Sequence, residues 1–188
     1  MKLSKLLEKV ECICVNGDVE TEITSIEYDS RKVQAGSIFV CLKGFQSDGH
    51  KFAQMAVEKG AAALLVEDLP DFDTDAVVVQ VEDSRRALAY MSAAWFDYPA
   101  RNMTVIGLTG TKGKTTTSFM MKKILEQAGH KVGLIGTTGA YIGQKKIETK
   151  NTTPESFELH SLFSQMVQDG CDAVVMEASS QGFKLERT

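Results

Sequence analysis

The first half of the chain alternates between apolar residues spaced for helices and short apolar runs typical of strands. Apolar residues recur three or four positions apart from Leu3 to Val10, which predicts a first helix. Further along, the pattern predicts strands at 23–28, 37–42, 62–66 and 76–81, and helices at 52–59 and 84–96. This order predicts an α/β domain over residues 1–100.

The second half has a more regular alternation of strands and helices. Residues 97–102 are polar and contain a proline, as a connection between two domains does. Beyond them, strands are predicted at 103–108, 131–135 and 173–177, and helices at 115–128 and 155–168. Such alternation predicts a parallel sheet, with residues 139–150 compatible with a hairpin.

The number of strands in this second part is low. A complete sheet of this kind has about five strands, whereas three are predicted after residue 102. We therefore expect residues 101–188 to be the first half of a domain that is truncated at Thr188.

Composition narrows the class of protein. The net charge of −4, with no basic cluster, argues against a nucleic-acid-binding surface. No apolar run reaches the roughly 18 residues that a membrane-spanning helix needs, so we expect a cytoplasmic protein without membrane insertion. The cysteines lack zinc-type spacing and are expected to be buried free thiols: Cys12, Cys14, Cys41 and Cys171.

The segment 107–117, with the sequence GLTGTKGKTTT, joins a predicted strand to a predicted helix through a glycine-rich turn. Backbone N–H groups in such a turn form a concave phosphate site at the helix N-terminus. Lys114 would reach the terminal phosphates of ATP, and the Thr115 hydroxyl would bind Mg²⁺. The predicted ATP-binding residues are Gly110, Thr111, Lys112, Gly113, Lys114, Thr115 and Thr116.

This segment departs from the general phosphate-loop pattern at one position. Leu108 stands where the pattern has its first glycine, and Gly107 and Gly110 flank it instead. The alternative interpretation is an ordinary glycine-rich turn between a strand and a helix.

Two further polar motifs follow predicted strands. In the motif NTTPE at 151–155, Thr152 or Thr153 could cap the next helix, or the hydroxyls could bind a ligand. Glu177 ends a buried strand, where a carboxylate needs a partner. That partner is Mg²⁺ on the nucleotide phosphates or, alternatively, a lysine in a salt bridge.

The motifs GTKGKTT, NTTPE and MEASS, in this order, resemble the Mur ligase family, whose members form amide bonds with ATP. They are most similar to the branch that adds the third residue of the peptidoglycan stem peptide. Upstream, the segments 28–33, 36–40 and 44–50 resemble that branch's uridine-nucleotide domain. The resemblance covers the whole chain and implies that this domain precedes the ATP-binding part.

The resemblance also implies partners and site residues. The implied partners are UDP-N-acetylmuramoyl dipeptide, ATP with Mg²⁺, and an amino acid. Independently of the resemblance, we expect a monomer. Catalysis would involve Lys114, Thr115 and Glu177, with Mg²⁺ on Thr115 and Glu177. The implied contacts of the UDP-sugar peptide are Ser30, Phe45, Gln46, Ser47, Asn151, Thr152, Thr153, Ser179 and Arg187.

The sequence departs from the family pattern after its paired serines. Gln181 stands where the family usually has histidine, and an amide side chain does not titrate in the range where histidine does. This departure puts the local contacts in doubt and leaves the resemblance standing.

In the implied reaction, ATP phosphorylates a substrate carboxylate, and an amino group attacks the resulting acyl phosphate to form the amide. We expect the 188-residue chain alone to be inactive, because the family's amino-acid domain and second metal ligand would lie beyond Thr188. The alternative class is a P-loop module that binds ATP as a regulator without forming a bond.

Overall fold

The computed structural model describes residues 1–44, 47–143 and 145–188 of the chain. These residues form two compact units, Met1–Trp95 and Phe96–Thr188. Among the residues described, none of the helices has the length and apolar character that crossing a membrane requires.

The first unit is a five-stranded sheet with three helices. Its strands have the order β1-β5-β4-β3-β2, in which β2 to β5 run parallel and β1 is antiparallel to β5. A short 3₁₀ helix spans Gly49–Phe52. The elements are α1 (Leu3–Leu6), β1 (Cys12–Asn16), β2 (Ser25–Glu27), β3 (Ser37–Val40), α2 (Ala53–Glu58), β4 (Ala63–Val66), β5 (Val77–Val81) and α3 (Ser84–Trp95).

The central strands of this unit carry continuous apolar runs because they are covered on both faces. Every residue of β3 and β4 is buried, which is typical of parallel strands packed between other elements. Phe39 and Leu64 belong to the same buried cluster as Ala53 and Ala56 of α2. The predicted strand and helix positions of this unit are confirmed, with boundaries that shift by at most four residues.

The second unit is a mixed five-stranded sheet with the order β6-β10-β7-β8-β9. A 3₁₀ helix, Pro99–Asn102, precedes its first strand. The elements are β6 (Thr104–Leu108), α4 (Lys114–Gln127), β7 (Val132–Gly136), β8 (Gly139–Ile142), β9 (Lys145–Ile147), α5 (Ser156–Gln168), β10 (Ala173–Glu177) and α6 (Ser180–Lys184).

The prediction of a parallel sheet is confirmed for three of these strands. Strand β10 lies between β6 and β7 and runs parallel to both. The hairpin compatible with residues 139–150 is present as β8 and β9, which pair antiparallel and extend the sheet on the far side of β7. The sheet is therefore mixed, and the carboxyl ends of its three parallel strands lie on the same side of it.

Strand β6 is partly exposed, although its run of apolar residues is typical of a buried strand. It lies at the edge of the sheet, where β10 is its one partner among the described strands, and Val105 is 39% exposed. The outer face of α4 is similarly open, with Ile124 62% exposed. An apolar run indicates burial only where both faces of a strand are covered, which the run itself does not specify.

The expectation of four buried thiols is right for two cysteines and wrong for two. Cys41 and Cys171 are buried, whereas Cys12 and Cys14 are exposed. Both exposed thiols lie on β1, an edge strand with a register shift between them that disrupts the inward and outward alternation.

His160, in α5, is a titratable residue that packs against the core of the second unit. Its Nδ1 atom is buried without a hydrogen-bond partner among the described residues, and its ring contacts Phe163 edge-on at 5.9 Å between centroids. Burial lowers the pKa of His160 from its usual 6.5 to about 4, because an imidazolium there would lose its hydration.

This burial predicts a loss of stability in mild acid. Below pH 6.5 the unfolded chain binds a proton at His160 that the folded chain does not bind until about pH 4. The free energy of unfolding should therefore fall by about 2 kcal/mol between pH 8 and pH 5 on account of this residue. Urea unfolding, followed by NMR signals of α5, measures the slope.

His160→Gln should flatten that slope, since the glutamine does not titrate. His130→Gln is the matched control, because His130 has a side chain that is 49% exposed. The control should retain most of the slope. An unchanged slope in His160→Gln would show that His160 is not the titrating group.

Candidate functional site

The turn between β6 and α4 has the backbone conformation that its glycines allow. Gly110 has φ +148° and Gly113 has φ +81°, in the region that residues with a Cβ atom avoid. Gly113 is also the residue before the first turn of α4. The turn thus brings successive backbone N–H groups to the N-terminus of a 14-residue helix, where the helix dipole favours anions.

The side chains predicted to bind ATP surround this turn. Lys114 donates from Nζ to the Gly110 carbonyl oxygen at 2.7 Å, so its ammonium group lies over the turn. Thr111, Lys112 and Thr116 are exposed. The lysine therefore has a place from which it can contact a phosphate bound in the turn.

Glu177 is a buried carboxylate held by hydrogen bonds. It is 1% exposed and lies at the carboxyl end of β10. The Thr115 hydroxyl donates to Oε2 at 3.1 Å, the Thr137 backbone N–H donates to Oε1 at 3.1 Å, and the Thr137 hydroxyl donates to Oε2 at 3.2 Å. Within the described residues, Glu177 has no salt bridge to a lysine, the alternative weighed above.

Thr137 is a site residue that the sequence reasoning missed. It directly follows β7, on the same side of the sheet as Glu177, which is the last residue of the parallel neighbour β10. Thr152 contacts Thr137 at 3.0 Å between hydroxyl oxygens. A hydroxyl has one proton, and the Thr137 hydroxyl already donates a hydrogen bond to Glu177. The Thr152 hydroxyl is therefore the donor in its contact with Thr137. The rule that identified Glu177 would have identified Thr137.

The possible capping role of Thr152 and Thr153 is wrong. Helix α5 begins at Ser156, its N-cap residue is Glu155, and the Glu155 side chain makes no capping hydrogen bond. Thr153 is instead 1% exposed, and its hydroxyl donates to the Glu177 carbonyl oxygen at 3.0 Å and contacts the Ser179 hydroxyl at 3.2 Å. The motif therefore ties the loop before α5 to the end of β10.

Ser179 and Arg187 continue the same network. Ser179 caps α6 by accepting from the Gly182 backbone N–H at 3.0 Å, a role that the sequence reasoning did not give it. Arg187 donates to the Thr153 carbonyl oxygen at 3.1 Å and forms an ion pair with Glu155. Its Nε atom is buried without a hydrogen-bond partner in the described part of the chain.

The remaining residues predicted to contact the substrate are not part of this hydrogen-bond network among the described residues. Asn151 is exposed beside Thr152. In the first unit, Ser30 lies in the turn after β2, and its carbonyl oxygen accepts from Lys59 Nζ at 2.8 Å. Ser47 is exposed, and its carbonyl oxygen accepts from the Gly44 N–H at 3.0 Å. Phe45 and Gln46 lie outside the described residues.

The oxygen atoms of Thr115 and Glu177 are suitable ligands for a hard divalent cation. The Thr115 hydroxyl and the Glu177 carboxylate are oxygen ligands of the kind that Mg²⁺ prefers, and they lie beside the phosphate-binding turn. The carboxylate is already oriented by Thr137 from the opposite side. The arrangement can therefore hold a metal ion next to a bound phosphate.

The second unit is a P-loop α/β domain. It has a strand, a glycine turn and a helix in succession (β6 to α4), with a carboxylate on the neighbouring parallel strand beside the turn. Comparison with known domains agrees. The Mur ligase middle domain matches residues 108–188, and the Mur ligase family catalytic domain matches residues 22–96. The chain belongs to the Mur ligase family.

A relative in sequence agrees with this family, and a solved structure agrees with the fold. The UDP-N-acetylmuramoyl-L-alanyl-D-glutamate–2,6-diaminopimelate ligase 1 of Clostridium acetobutylicum is 49% identical over 100% of the chain. A solved structure of a UDP-N-acetylmuramoyl-L-alanyl-D-glutamate–2,6-diaminopimelate ligase matches with a TM-score of 0.78 and 24% identity. The match covers 100% of this chain and 37% of the length of that protein. The chain spans about 39% of the length of the curated relatives it matches.

A second solved structure includes a nucleotide. The MurF ligase of Thermotoga maritima, in complex with ADP, matches with a TM-score of 0.54 and 25% identity. The match covers 85% of the chain and 32% of the length of that protein.

Gly136 leaves the room that the Glu177 carboxylate occupies. A Cβ atom on Gly136 would collide with Glu177 Oε1 and lie 2.9 Å from its Cδ. Gly136→Ala should therefore displace the carboxylate and lower the free energy of unfolding by about 1–3 kcal/mol, as overpacking does. Urea unfolding measures the stability, and the NMR shift of the Thr137 amide reports the lost hydrogen bond.

Gly107→Ala is the matched control, because a Cβ atom on Gly107 meets no heavy atom within 4 Å. It should keep the Thr137 shift and, if it changes stability, raise it by at most about 1 kcal/mol. Equal effects of the two substitutions would contradict a specific contact between Gly136 and Glu177.

Proposed function

We propose that the chain is the nucleotide-sugar-binding and ATP-binding part of an amide-bond-forming ligase of peptidoglycan synthesis. The ligase adds an amino acid to UDP-N-acetylmuramoyl-L-alanyl-D-glutamate through an acyl phosphate. The observation that carries this proposal is the pairing of Thr115 with Glu177 beside the glycine turn. Its support also includes the family membership and the 49% identity to a named ligase of this type. The cytoplasmic location and the monomeric state stay predictions.

The proposed roles follow from charge. When bound, Mg²⁺ neutralises charge on the ATP phosphates, and Thr115 and Glu177 are the residues that would hold it. Lys114 would exchange its bond to the Gly110 carbonyl for a terminal phosphate oxygen. Thr137 keeps the carboxylate of Glu177 aimed at Thr115. Thr111, Lys112, Gly113 and Thr116 contribute the backbone and the exposed rim of the ATP site.

The muramoyl-peptide end of the substrate carries a diphosphate and carboxylates, which need hydrogen-bond donors. We assign their binding to Asn151, Thr152, Thr153, Ser179 and Arg187, four of which form one connected network. Within the part of the chain that the structure describes, Arg187 Nε is a buried donor without a partner, and a guanidinium suits an anionic oxygen. The uridine end is assigned to Ser30 and to residues 45–47 of the first unit.

The role of Mg²⁺ predicts a specific effect of a conservative substitution. Thr115→Val removes the hydroxyl and keeps the shape of the side chain, so the affinity of the 188-residue chain for Mg²⁺·ATP should fall by tenfold or more, about 1.4 kcal/mol. Isothermal titration calorimetry with and without Mg²⁺ measures this loss. The dependence of ATP affinity on Mg²⁺ should weaken in the same variant.

Thr117→Val makes the same chemical change two residues later on α4, on a different face of the helix. It should bind Mg²⁺·ATP as the unmodified chain does. If Thr115→Val also binds normally, the metal assignment to Thr115 is wrong.

The substrate assignment distinguishes a ligase from an ATP-binding regulator. We expect the chain to bind UDP-N-acetylmuramoyl-L-alanyl-D-glutamate, with Ser30→Ala weakening binding by about 1–2 kcal/mol through a lost polar partner. NMR titration detects this binding even at millimolar affinity. The affinity for ATP should be the same in Ser30→Ala, because Ser30 and the P-loop are in different units.

A chain that binds ATP and shows no shift changes with the UDP-sugar peptide at millimolar concentration would contradict the ligase proposal. That outcome would favour the regulatory module.

A further inference from the structure

Two short antiparallel arms, residues 43–44 and 47–48, follow β3 at the carboxyl end of the first unit's parallel strands, and we call these two arms the hairpin. Lys43 and Asp48 form an antiparallel bridge that closes it, and the Gly44 N–H donates to the Ser47 carbonyl oxygen at 3.0 Å. The Gly49 N–H donates to the Leu42 carbonyl oxygen at 2.9 Å. In open α/β sheets this edge is where ligands bind.

His50 connects one end of this hairpin to the neighbouring strand. Its Nδ1 atom lies 2.6 Å from Asp48 Oδ1, and its Nε2 atom accepts from the backbone N–H groups of Glu67 at 2.9 Å and Asp68 at 3.3 Å. An imidazole nitrogen that accepts carries no proton, so the proton is on Nδ1 and is donated to Asp48. The ring therefore links Asp48 to the end of β4 in one defined tautomer.

Lys43 connects the other end of the hairpin to the same two residues. Its Nζ atom lies 3.0 Å from Glu67 Oε2 and 2.8 Å from Asp68 Oδ2. Glu67 is itself fixed, because its Oε1 accepts from both the backbone N–H and the hydroxyl of Ser84. Both ends of the hairpin are thus fastened to the dipeptide Glu67–Asp68, which directly follows β4.

Charge within this group also favours the observed arrangement. The backbone N–H of His50, followed by its ring, lowers the pKa of Asp48. The carboxylates of Asp68 and Glu67 raise the pKa of Lys43. The Asp48 carboxylate and the Lys43 ammonium group are therefore the stable forms of these two side chains near neutral pH.

We propose that His50 is a positioning residue for the sugar nucleotide, acting through the hairpin that carries Ser47. We call Lys43, Asp48, His50, Glu67 and Asp68 the hairpin clamp. The clamp does not touch the substrate; it holds both ends of the hairpin, so that Ser47 meets the uridine end of the ligand without an ordering cost. This inference rests on the proposed function, since the hairpin's ligand is the substrate named above.

The test compares three histidine variants of the 188-residue chain. His50→Asn keeps a donor near Asp48 and loses the acceptor for Glu67, and His50→Ala loses both. We expect the dissociation constant for UDP-N-acetylmuramoyl-L-alanyl-D-glutamate to rise several-fold in His50→Asn and about tenfold in His50→Ala. His130→Asn is the control, because His130 also pairs with an aspartate, Asp172, but lies in the other unit. It should bind as the unmodified chain does.

Two further measurements separate positioning from general stability. The ¹⁵N shifts of the His50 ring should show an unprotonated Nε2 and a protonated Nδ1. Amide exchange at Gly44 and Gly49 should accelerate in the His50 variants more than exchange in the central strand β4. Lys43→Gln, a substitution at an exposed position, should weaken substrate binding in the same direction if His50→Ala does not fold.

The outcomes distinguish the two proposals. If the unmodified chain does not bind the sugar nucleotide, the proposed function fails, while the tautomer and exchange at Gly44 and Gly49 still test the clamp. If the chain binds and the His50 and Lys43 variants bind equally well, the positioning role is wrong. A protonated Nε2, or unchanged exchange in all variants, would also overturn the clamp.

Discussion

The second unit depends on one buried carboxylate that receives hydrogen bonds from two neighbouring elements. Glu177 ends the central parallel strand, and its partners Thr115 and Thr137 come from the start of α4 and the end of β7. A buried charge is costly unless donors surround it, so these elements must keep their relative positions. Gly136 supplies the space and Thr137 the orientation. The same constraint places an oxygen ligand beside the phosphate-binding turn.

The network extends from this carboxylate to both polar loops that follow. Thr152 reaches it through Thr137, and Thr153 bonds to the backbone of Glu177 and to Ser179. Arg187 closes the chain of contacts at the Thr153 carbonyl. Residues assigned to ATP and residues assigned to the sugar-nucleotide peptide are therefore connected by hydrogen bonds within a single unit. In the proposed reaction, such a connection would help to hold a phosphoryl donor and its acceptor in fixed relative positions.

The first unit uses the edge of its parallel sheet in a related way. The dipeptide Glu67–Asp68 after β4 offers backbone N–H groups to His50 and carboxylates to Lys43. In both units, polar residues just after buried strands are fixed by partners from adjacent loops. Parallel strands all point their carboxyl ends to one edge, so residues far apart in sequence meet there.

The sequence by itself determined most of the order of strands and helices, the glycine turn with Lys114 and Thr115, and the placement of Glu177 at a strand end, because these follow from local spacing and backbone preference. The tertiary structure decided that Thr153 bonds to β10 instead of capping α5, that Thr137 joins the site, and that Cys12 and Val105 are exposed. Each of these depends on which strands are neighbours and which lie at an edge. Local periodicity does not encode that, because hydrogen-bond partners and covering layers come from residues distant in the sequence.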